Sequence, residues 1–348
     1  MSLQSLQEVA REVVGSNFEA LVEAAERGER PRAYIGFEPS GTAHIGWMVC
    51  AETVNRLIDT GFDVTILLAD WHAYINDKLG GDMEAIKRCA KYMEDAFTAL
   101  GVPADQVTYR YAEEFAADKN YWALVIKCAK ATSLARIRRA MDIMGRAEDE
   151  GDKDMSKFLY PAMQVADIFH MGMDLAYGGM DQRHAHMLAR DVAKKVGAKA
   201  PVALHTPLVP NLKGGQGRMD PAEAKMSKSD PSSGIFLHDT EKQVQKKIGK
   251  AHCPAGEKED NPVLDLLRMV IAPRQSEFRI DRPEKFGGPL EFASYQAIED
   301  AFVAGDLHPM DLKNGVAAWL NTHLEPVRAY FEANPDNLDF VEGLKRTK

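Results

Sequence analysis

Two short stretches carry residue types suited to phosphate chemistry. The first is Tyr34–Trp47, Y-I-G-F-E-P-S-G-T-A-H-I-G-W, where an apolar run from Ala33 to Phe37 is broken by Pro39, Ser40 and Gly41 and followed by His44-Ile45-Gly46. A buried strand feeding a tight turn and then a helix N-terminus offers an anion unpaired N–H groups and the positive end of the helix dipole. Gly46 lets a ring or a phosphate approach the backbone closely. Alone, His-x-Gly is a weak signal: with 10 His and 26 Gly it is expected about once by chance. The second stretch is Lys225-Met226-Ser227-Lys228-Ser229, a pentapeptide that arises by chance in roughly one chain in ten thousand of this length. It sits in the aperiodic, Gly/Pro/Ser/Lys-rich segment 210–234, and long loops in compact proteins are functional or disordered. A phosphate-binding turn combined with mobile lysines suits in-line attack on phosphorus. Such a step needs position and cations more than a general base, and lysines that engage mainly the transition state raise rate rather than tightening the ground state.

A third constellation is the segment Phe158–Met173, F-L-Y-P-A-M-Q-V-A-D-I-F-H-M-G-M. Tyr160, Gln164 and Asp167 fall at i, i+4 and i+7, on one helical face. The other faces are apolar enough to be core, so the polar stripe is read as buried and not as a solvated edge.

The elements that must position these residues follow from periodicity. Residues 3–28 read as helix (Leu3, Leu6, Val9, Val13, Phe18, Leu21, Val22). The strand 33–37, a helix through Met48, Val49, Val54 and Leu57, and a second apolar run Val64–Ala69 make a right-handed βαβ unit. Residues 82–157 are helical and charged, with one strand at Val107–Tyr111, and are read as an insertion; 145–157 is read as a loop. Leu175–Gly179 and Val202–His205 are strands, and Met180-Asp181-Gln182-Arg183 opens the helix between them. Beyond residue 238 the pattern is helical: 239–251, 261–273, 294–304 and 309–331, with a short tail after Pro335. The fold class is α/β, a Rossmann-type doubly wound parallel sheet with a helical insertion, followed by an all-helical C-terminal domain. The expected division is 1–236, containing the insertion 82–157 and the loop 210–236, and 237–348.

Composition narrows the class. The chain has 348 residues, 45% hydrophobic and 27% charged, with a formal net charge of −9, the profile of an ordinary globular protein with room for two or three cores. No run approaches the roughly 20 apolar residues of a membrane span. The N-terminus has neither the basic nor the apolar region of a signal peptide, so a cytoplasmic location is expected. Cys50, Cys89, Cys128 and Cys253 lack the spacing of a zinc site or a disulfide framework; reduced thiols and no protein-bound metal are expected. The acidic total argues against a general nucleic-acid coat, but two local basic patches remain: Lys127, Lys130, Arg136, Arg138, Arg139 and Lys242, Lys246, Lys247, Lys250. Each taken alone reads as a solvated helix face.

The pairing of His44-x-Gly46 with Lys225–Ser229 resembles the class I aminoacyl-tRNA synthetases. Over nearly its whole length the chain resembles their tyrosyl branch of archaeal and eukaryotic type, through Y-I-G-F-E-P-S-G, L-L-A-D-W-H-A-Y, Y-P-A-M-Q-V-A-D-I, G-G-M-D-Q-R, A-K-M-S-K-S-D-P-S-S and L-H-P-M-D-L-K-N. The resemblance implies ATP, with Mg²⁺, meeting Gly36, His44, Gly46, Trp47, Lys225, Met226, Ser227, Lys228 and Ser229, with His44, Lys225 and Lys228 catalytic. It implies that Tyr34 and Asp167 grip the substrate phenol. Tyr160, Gln164 and Gln182 then hold its ammonium, Leu67 and His72 line the ring, and Glu38 joins the set. For tRNA it implies Arg139 and Arg183 at the first base pair of the acceptor stem, and Phe286, His308 and Asp311 at the anticodon. There, stacking and edge hydrogen bonds read unpaired bases. On sequence alone, Phe286 could equally be core, and His308-Pro309 is also an N-cap turn.

Two positions depart from the family pattern. Trp47 stands where the turn's last histidine is usual, and Ala116 where archaeal relatives often carry a larger polar residue near the pocket. The expected activity is that of a tyrosine–tRNA ligase, a homodimer joined through the insertion, with tRNA-Tyr, L-tyrosine and ATP as partners. The tryptophan-specific branch shares both motifs; against it stand Tyr34 and G-G-M-D-Q-R. A catalytically lapsed RNA-binding paralogue is opposed by the intact Lys225–Ser229 loop. A small-molecule adenylyltransferase leaves the helical C-terminal domain unexplained.

Overall fold

The structure, a computed structural model, describes residues 2–144, 154–214, 226 and 232–344. Lys225, Ser227, Lys228 and Ser229 lie outside these. The chain divides into two compact units: Met1–Gly41 with Thr53–Pro207 and Asp336–Lys348, and Thr42–Glu52 with Leu208–Pro335. The expected boundary at 236/237 therefore shifts. Residues 42–52 and 208–236 group with the C-terminal helices, and 336–344 with the sheet.

The sheet unit begins with helix α1 (Ser2–Val9), strand β1 (Glu12–Val14) and helix α2 (Phe18–Glu26), where continuous helix was expected. Next come β2 (Arg32–Phe37), α3 (Gly46–Thr60), β3 (Asp63–Leu68) and α4 (Asp70–Ile75). Helix α5 (Met83–Ala99) is started by Asp82, whose carboxylate accepts from the Glu84 and Ala85 amides. It leads to β4 (Val107–Tyr111), then α6 (Glu113–Ala116), α7 (Lys119–Lys130) and α8 (Leu134–Arg139). A short 3₁₀ turn at Met155–Phe158, capped by Asp154, replaces part of the expected 145–157 loop. Helix α9 (Tyr160–His170), opened by Pro161 in its first turn, leads to β5 (Leu175–Gly179), α10 (Arg183–Val196) and β6 (Val202–Thr206). Gly197, at φ 77°, ends α10 in the left-handed region that glycine alone enters without strain.

The strand order is β1-β6-β5-β2-β3-β4. Only β1 runs antiparallel, on β6; the other pairs are parallel. Because β4 pairs along its whole length with β3, α5 and β4 belong to the sheet and an insertion cannot begin at 82. The order reverses between β2 and β5, and in such sheets ligands sit at the carboxyl ends of strands flanking that switch. Tyr34 of β2 pairs with Ala176 of β5, and Gly36 with Leu67 of β3. Helix α9 packs against α7 and α10. One apolar cluster runs from Tyr34 and Leu67 through Tyr121, Val125, Met163 and Ile168 to Leu188; each fully buried aliphatic side chain contributes about 1.5–3 kcal/mol.

The second unit carries α11 (Glu241–Lys250), opened by a Thr240–Gln243 capping box, and α12 (Pro262–Leu266), which continues as one π turn, Leu267–Ile271. It is not all helical: β7 (Phe278–Ile280) and β8 (Leu290–Phe292) form a small antiparallel pair before α13 (Tyr295–Ala304) and α14 (Pro309–Ala333). Helix α15 (Asp336–Leu344) packs on α5 in the sheet unit. Among the described residues, no helix is long and apolar enough to cross a membrane.

Candidate active site

The polar stripe of α9 is buried at both ends, with Gln164 between them half-buried. Tyr160 is 4% exposed and Asp167 1%, which rejects a solvated edge. Asp167 Oδ1 accepts the Tyr121 hydroxyl at 2.8 Å. Its Oδ2 lies 3.2 Å from His72 Nε2, near enough for charge attraction, yet that oxygen and both His72 nitrogens are buried without a hydrogen-bond partner. A buried polar atom left open costs about 1–3 kcal/mol, so the trio marks where a donor and acceptor from elsewhere would fit. Tyr34, 2% exposed, stands on the same side. Burial and then the Asp167 charge raise its pKa, so its hydroxyl stays protonated and can donate. The same two causes raise the pKa of Tyr121. Burial, the largest single influence, lowers the His72 pKa, but the carboxylates of Asp167, Glu38 and Asp70 around it together outweigh that and the net shift is upward.

A second group lies along the same face. Gln164 donates to Gln182 Oε1 at 3.1 Å, and Gln182 donates to the Ile143 carbonyl at 3.3 Å, leaving the buried Gln164 Oε1 without a partner. Gly178 makes this possible: a Cβ there would stand 2.9 Å from the Gln182 Cβ. Glu38, beyond the end of β2, is fixed by Asn76 at 2.9 and 3.1 Å and by Lys78 at 3.4 Å. Burial first, then the Glu38 charge and hydrogen bond, raise the Tyr160 pKa, so its phenol also stays protonated. The Tyr160 ring meets His72 edge-on at 4.9 Å. Gly36 leaves bare backbone beside Tyr34 and Leu67; a Cβ there would sit 3.6 Å from the Tyr34 ring.

Thus Tyr34, Leu67, His72, Tyr160, Gln164, Asp167 and Gln182, with Glu38 at the rim, belong to one side of one unit. Sequence reading missed Tyr121, Asn76 and Lys78. Tyr121, Val125 and Cys128 are the buried stripe of α7, so the tyrosine reads as core until its hydroxyl is seen on Asp167. Lys78 reaches Glu38 from a turn where Asp77 and Leu79 take φ of 53° and 52°, costly for side-chain-bearing residues; Lys157 pins Asp77 at 2.8 Å. Ala116 gives its carbonyl to the Trp122 indole.

In the second unit, the His44–Trp47 turn corrects one expectation. Its amides are already engaged: Ile45 to the Ile235 carbonyl, Gly46 to His44 Nδ1 at 3.1 Å, Trp47 to the His44 carbonyl and Met48 to the Ile45 carbonyl. The room that Gly46 leaves is filled by the His44 ring, 2.6 Å from where a Cβ would stand. The turn therefore lacks the open amides that were expected to meet an anion. Trp47 is buried. Met226 is also buried; its amide bonds the Val209 carbonyl, and Gly234 leaves room for its side chain, since a Cβ there would fall 2.6 Å from Met226 Cγ.

The residues expected at RNA are placed differently. Phe286 is 59% exposed, not core, with Lys285 Nζ 4.9 Å above its ring. His308 caps α14 by accepting the Met310 amide. Asp311, in the first turn of α14, faces Arg282 at 3.6 Å, and Arg282 also donates to the Gly288 carbonyl, tying the Phe286 turn to that helix end. In the sheet unit Arg139 is exposed at the end of α8, while Arg183, opening α10, grips Glu12 of β1. The 242–250 patch is a solvated face: Val244 and Ile248 are its buried stripe, and Lys247 is paired to Asp239 at 2.6 Å.

A family model described as tRNA synthetases class I (W and Y) matches residues 26–325. The chain is similar to the tyrosine–tRNA ligase of Aeropyrum pernix, 50% identical over 328 residues, 91% of this chain and 90% of that protein. It is likewise similar to that of Saccharolobus solfataricus, 47% identical over 332 residues, 92% and 90% of the two chains. Among solved structures it resembles the Pyrococcus horikoshii tyrosyl-tRNA synthetase complexed with L-tyrosine. There the TM-score is 0.89 at 36% identity, covering 99% of this chain and 100% of that one.

Proposed function

We propose, for a chain that belongs to the class I tRNA synthetases (W and Y), the reaction of a tyrosine–tRNA ligase. A carboxylate oxygen of L-tyrosine attacks the α-phosphorus of ATP, which is bound with Mg²⁺; the α–β bridge bond breaks and pyrophosphate leaves. A hydroxyl of the 3′-terminal ribose of tRNA-Tyr then attacks the tyrosyl carbonyl and AMP leaves.

The observation that carries this reading is Asp167 Oδ2, buried and without a hydrogen-bond partner, beside a protonated Tyr34. A phenol O–H entering there donates to Asp167 and accepts from Tyr34, so the open Asp167 oxygen is satisfied by the substrate itself. Phenylalanine leaves that oxygen open, at about 1–3 kcal/mol. Tyr121 holds the carboxylate in position and His72 and Leu67 close around the ring. Tyr160, Gln164 and Gln182 supply oxygen acceptors for the ammonium, with Glu38 adding negative charge at the rim. Gly36, His44, Gly46, Trp47, Lys225, Met226, Ser227, Lys228 and Ser229 form the ATP set; His44 meets the phosphates and the two lysines supply cationic stabilisation to the departing pyrophosphate. Arg139 and Arg183 meet the acceptor stem. Phe286 stacks on an anticodon base, supported by its exposure, and Asp311 and His308 at the start of α14 read base edges. Exposed Trp122, Ile126 and Leu134 on α7 and α8 supply apolar surface for a homodimer, and the enzyme works in the cytoplasm.

Tyrosine-dependent ATP–pyrophosphate exchange tests this reading. Exchange driven by tyrosine and not by tryptophan or phenylalanine is expected; exchange with tryptophan alone would overturn it.

A further inference from the structure

Strand β1 is the only antiparallel strand of the main sheet, and it brings a carboxylate to Arg183. Glu12 accepts Arg183 Nε at 2.7 Å and Nη2 at 2.9 Å, a side-on bidentate pair. It is braced from behind: Glu12 Oε2 lies 3.0 Å from Nδ1 of His205, whose side chain is fully buried. His205 Nε2 in turn meets His186 Nδ1 at 3.0 Å. Burial, then the neighbouring His205, pushes the His186 pKa down to about 3, and burial lowers that of His205, so both rings are neutral near pH 7. A carboxylate at one end then sets both tautomers. His205 Nδ1–H donates to Glu12, and His186 Nδ1–H donates to His205 Nε2. The His186 ring lies edge-on to Tyr34, centroids 6.4 Å apart.

An arginine has five N–H donors. The side-on grip uses Nε–H and one Nη2–H, so the end-on edge, formed by one hydrogen on each terminal nitrogen, is not used by Glu12 on this half-exposed side chain. That edge matches a pair of acceptors, either O6 and N7 of guanine or two phosphate oxygens. We propose that Glu12 is a positioning residue for tRNA charging: braced by His205, it fixes the Arg183 guanidinium so that its end-on edge meets a pair of acceptors on the acceptor stem. This deepens the ligase reading and rests on its placement of Arg183 at tRNA. Glu12 touches neither tyrosine nor ATP, so its effect separates from activation.

The test measures exchange and aminoacylation separately on the full chain, for Glu12→Gln, Glu12→Ala, Arg183→Ala and Glu12→Ala with Arg183→Ala. The Glu12 variants are expected to keep tyrosine-dependent exchange within about twofold and to lose about 10- to 100-fold in kcat/KM for a tRNA-Tyr transcript, the scale of a lost charge-assisted pair. The double variant is expected to be no worse than Arg183→Ala alone, because the two residues act as one unit. Transcripts differing at the first base pair identify the acceptor. A preference that flattens in Glu12→Gln assigns a base edge, and an equal loss on every transcript assigns phosphate; both support the proposal. Charging by Glu12→Gln equal to the parent overturns it. A parallel loss of exchange and charging also overturns it, as the sign of a merely structural strut. If instead Arg183→Ala charges like the parent, the placement of Arg183 is wrong while the ligase reading stands. Absence of tyrosine-dependent exchange in the parent would sink the ligase reading itself.

Discussion

The pocket proposed for tyrosine and the surfaces proposed for RNA are built on opposite principles. In the pocket, buried polar atoms of Asp167, His72 and Gln164 are left open, a standing cost that only the right ligand removes. At the surfaces proposed for RNA the polar groups are paired at home: Arg183 with Glu12, Asp311 with Arg282, His308 with its own helix amide. Phe286 is the one large apolar group of that set left in water. A small rigid substrate rewards a preorganised cavity, because its few contacts must each count. A long polyanion is bound by many exchangeable contacts, and side chains held by local partners lose less freedom on meeting it.

The largest effect that would sharpen this contrast is expected from Asp167→Asn. It keeps the shape but places an amide where the phenol must donate, and tyrosine-dependent exchange should fall in kcat/KM by about 100-fold or more, the scale of a lost charged hydrogen bond. Thermal stability should fall far less, since one oxygen of the substituted carboxylate is buried without a hydrogen-bond partner. Tyr121→Phe comes next. Without its hydroxyl Asp167 is less fixed, and a rise in the tyrosine KM of about tenfold is expected, worth about 1.4 kcal/mol; an unchanged KM would break the claim that Tyr121 positions the carboxylate. Phe286→Ala should raise KM for tRNA by several-fold to tenfold, since base stacking on an aromatic is worth about 1–3 kcal/mol. Exchange, which needs no tRNA, should not change, and a defect there would return Phe286 to a structural role.

The smallest expected effect is a pH dependence. The pKa of His72 is higher in the folded chain than its ordinary 6.5. Its protonation therefore favours folding fully below about pH 6.5, and that contribution is lost as pH rises through the raised value. Melting curves of the parent and His72→Gln should differ most at acid pH and converge as pH rises. A gap that widens with pH would contradict the Asp167–His72 attraction.

Much of this contrast was legible in the sequence, and the omissions have physical causes. The α9 stripe could be read because helical spacing places Tyr160, Gln164 and Asp167 on one face among apolar neighbours. Tyr121 could not, because a tyrosine on a buried stripe looks the same whether its hydroxyl is idle or bonded to a carboxylate 46 residues away. Strand β1 has three residues, all half-buried. It shows no alternation and lies between helix-forming segments, so only its pairing with β6, some 190 residues on, defines it. Strand β4 was visible locally, yet its place beside β3 is a tertiary fact, so the span around it read as an insertion. The His44 turn was recognised, but the use of its amides depends on Ile235 and on the His44 ring, which no spacing reveals.

The central claim is that Asp167, with an oxygen left open in a buried pocket, selects the phenol of tyrosine. The most direct measurement is ATP–pyrophosphate exchange with tyrosine and phenylalanine side by side, in the parent and in Asp167→Asn. Strong preference for tyrosine is expected in the parent and collapse of that preference in the variant, chiefly through lost tyrosine activity. A variant that still prefers tyrosine as strongly as the parent would contradict that claim.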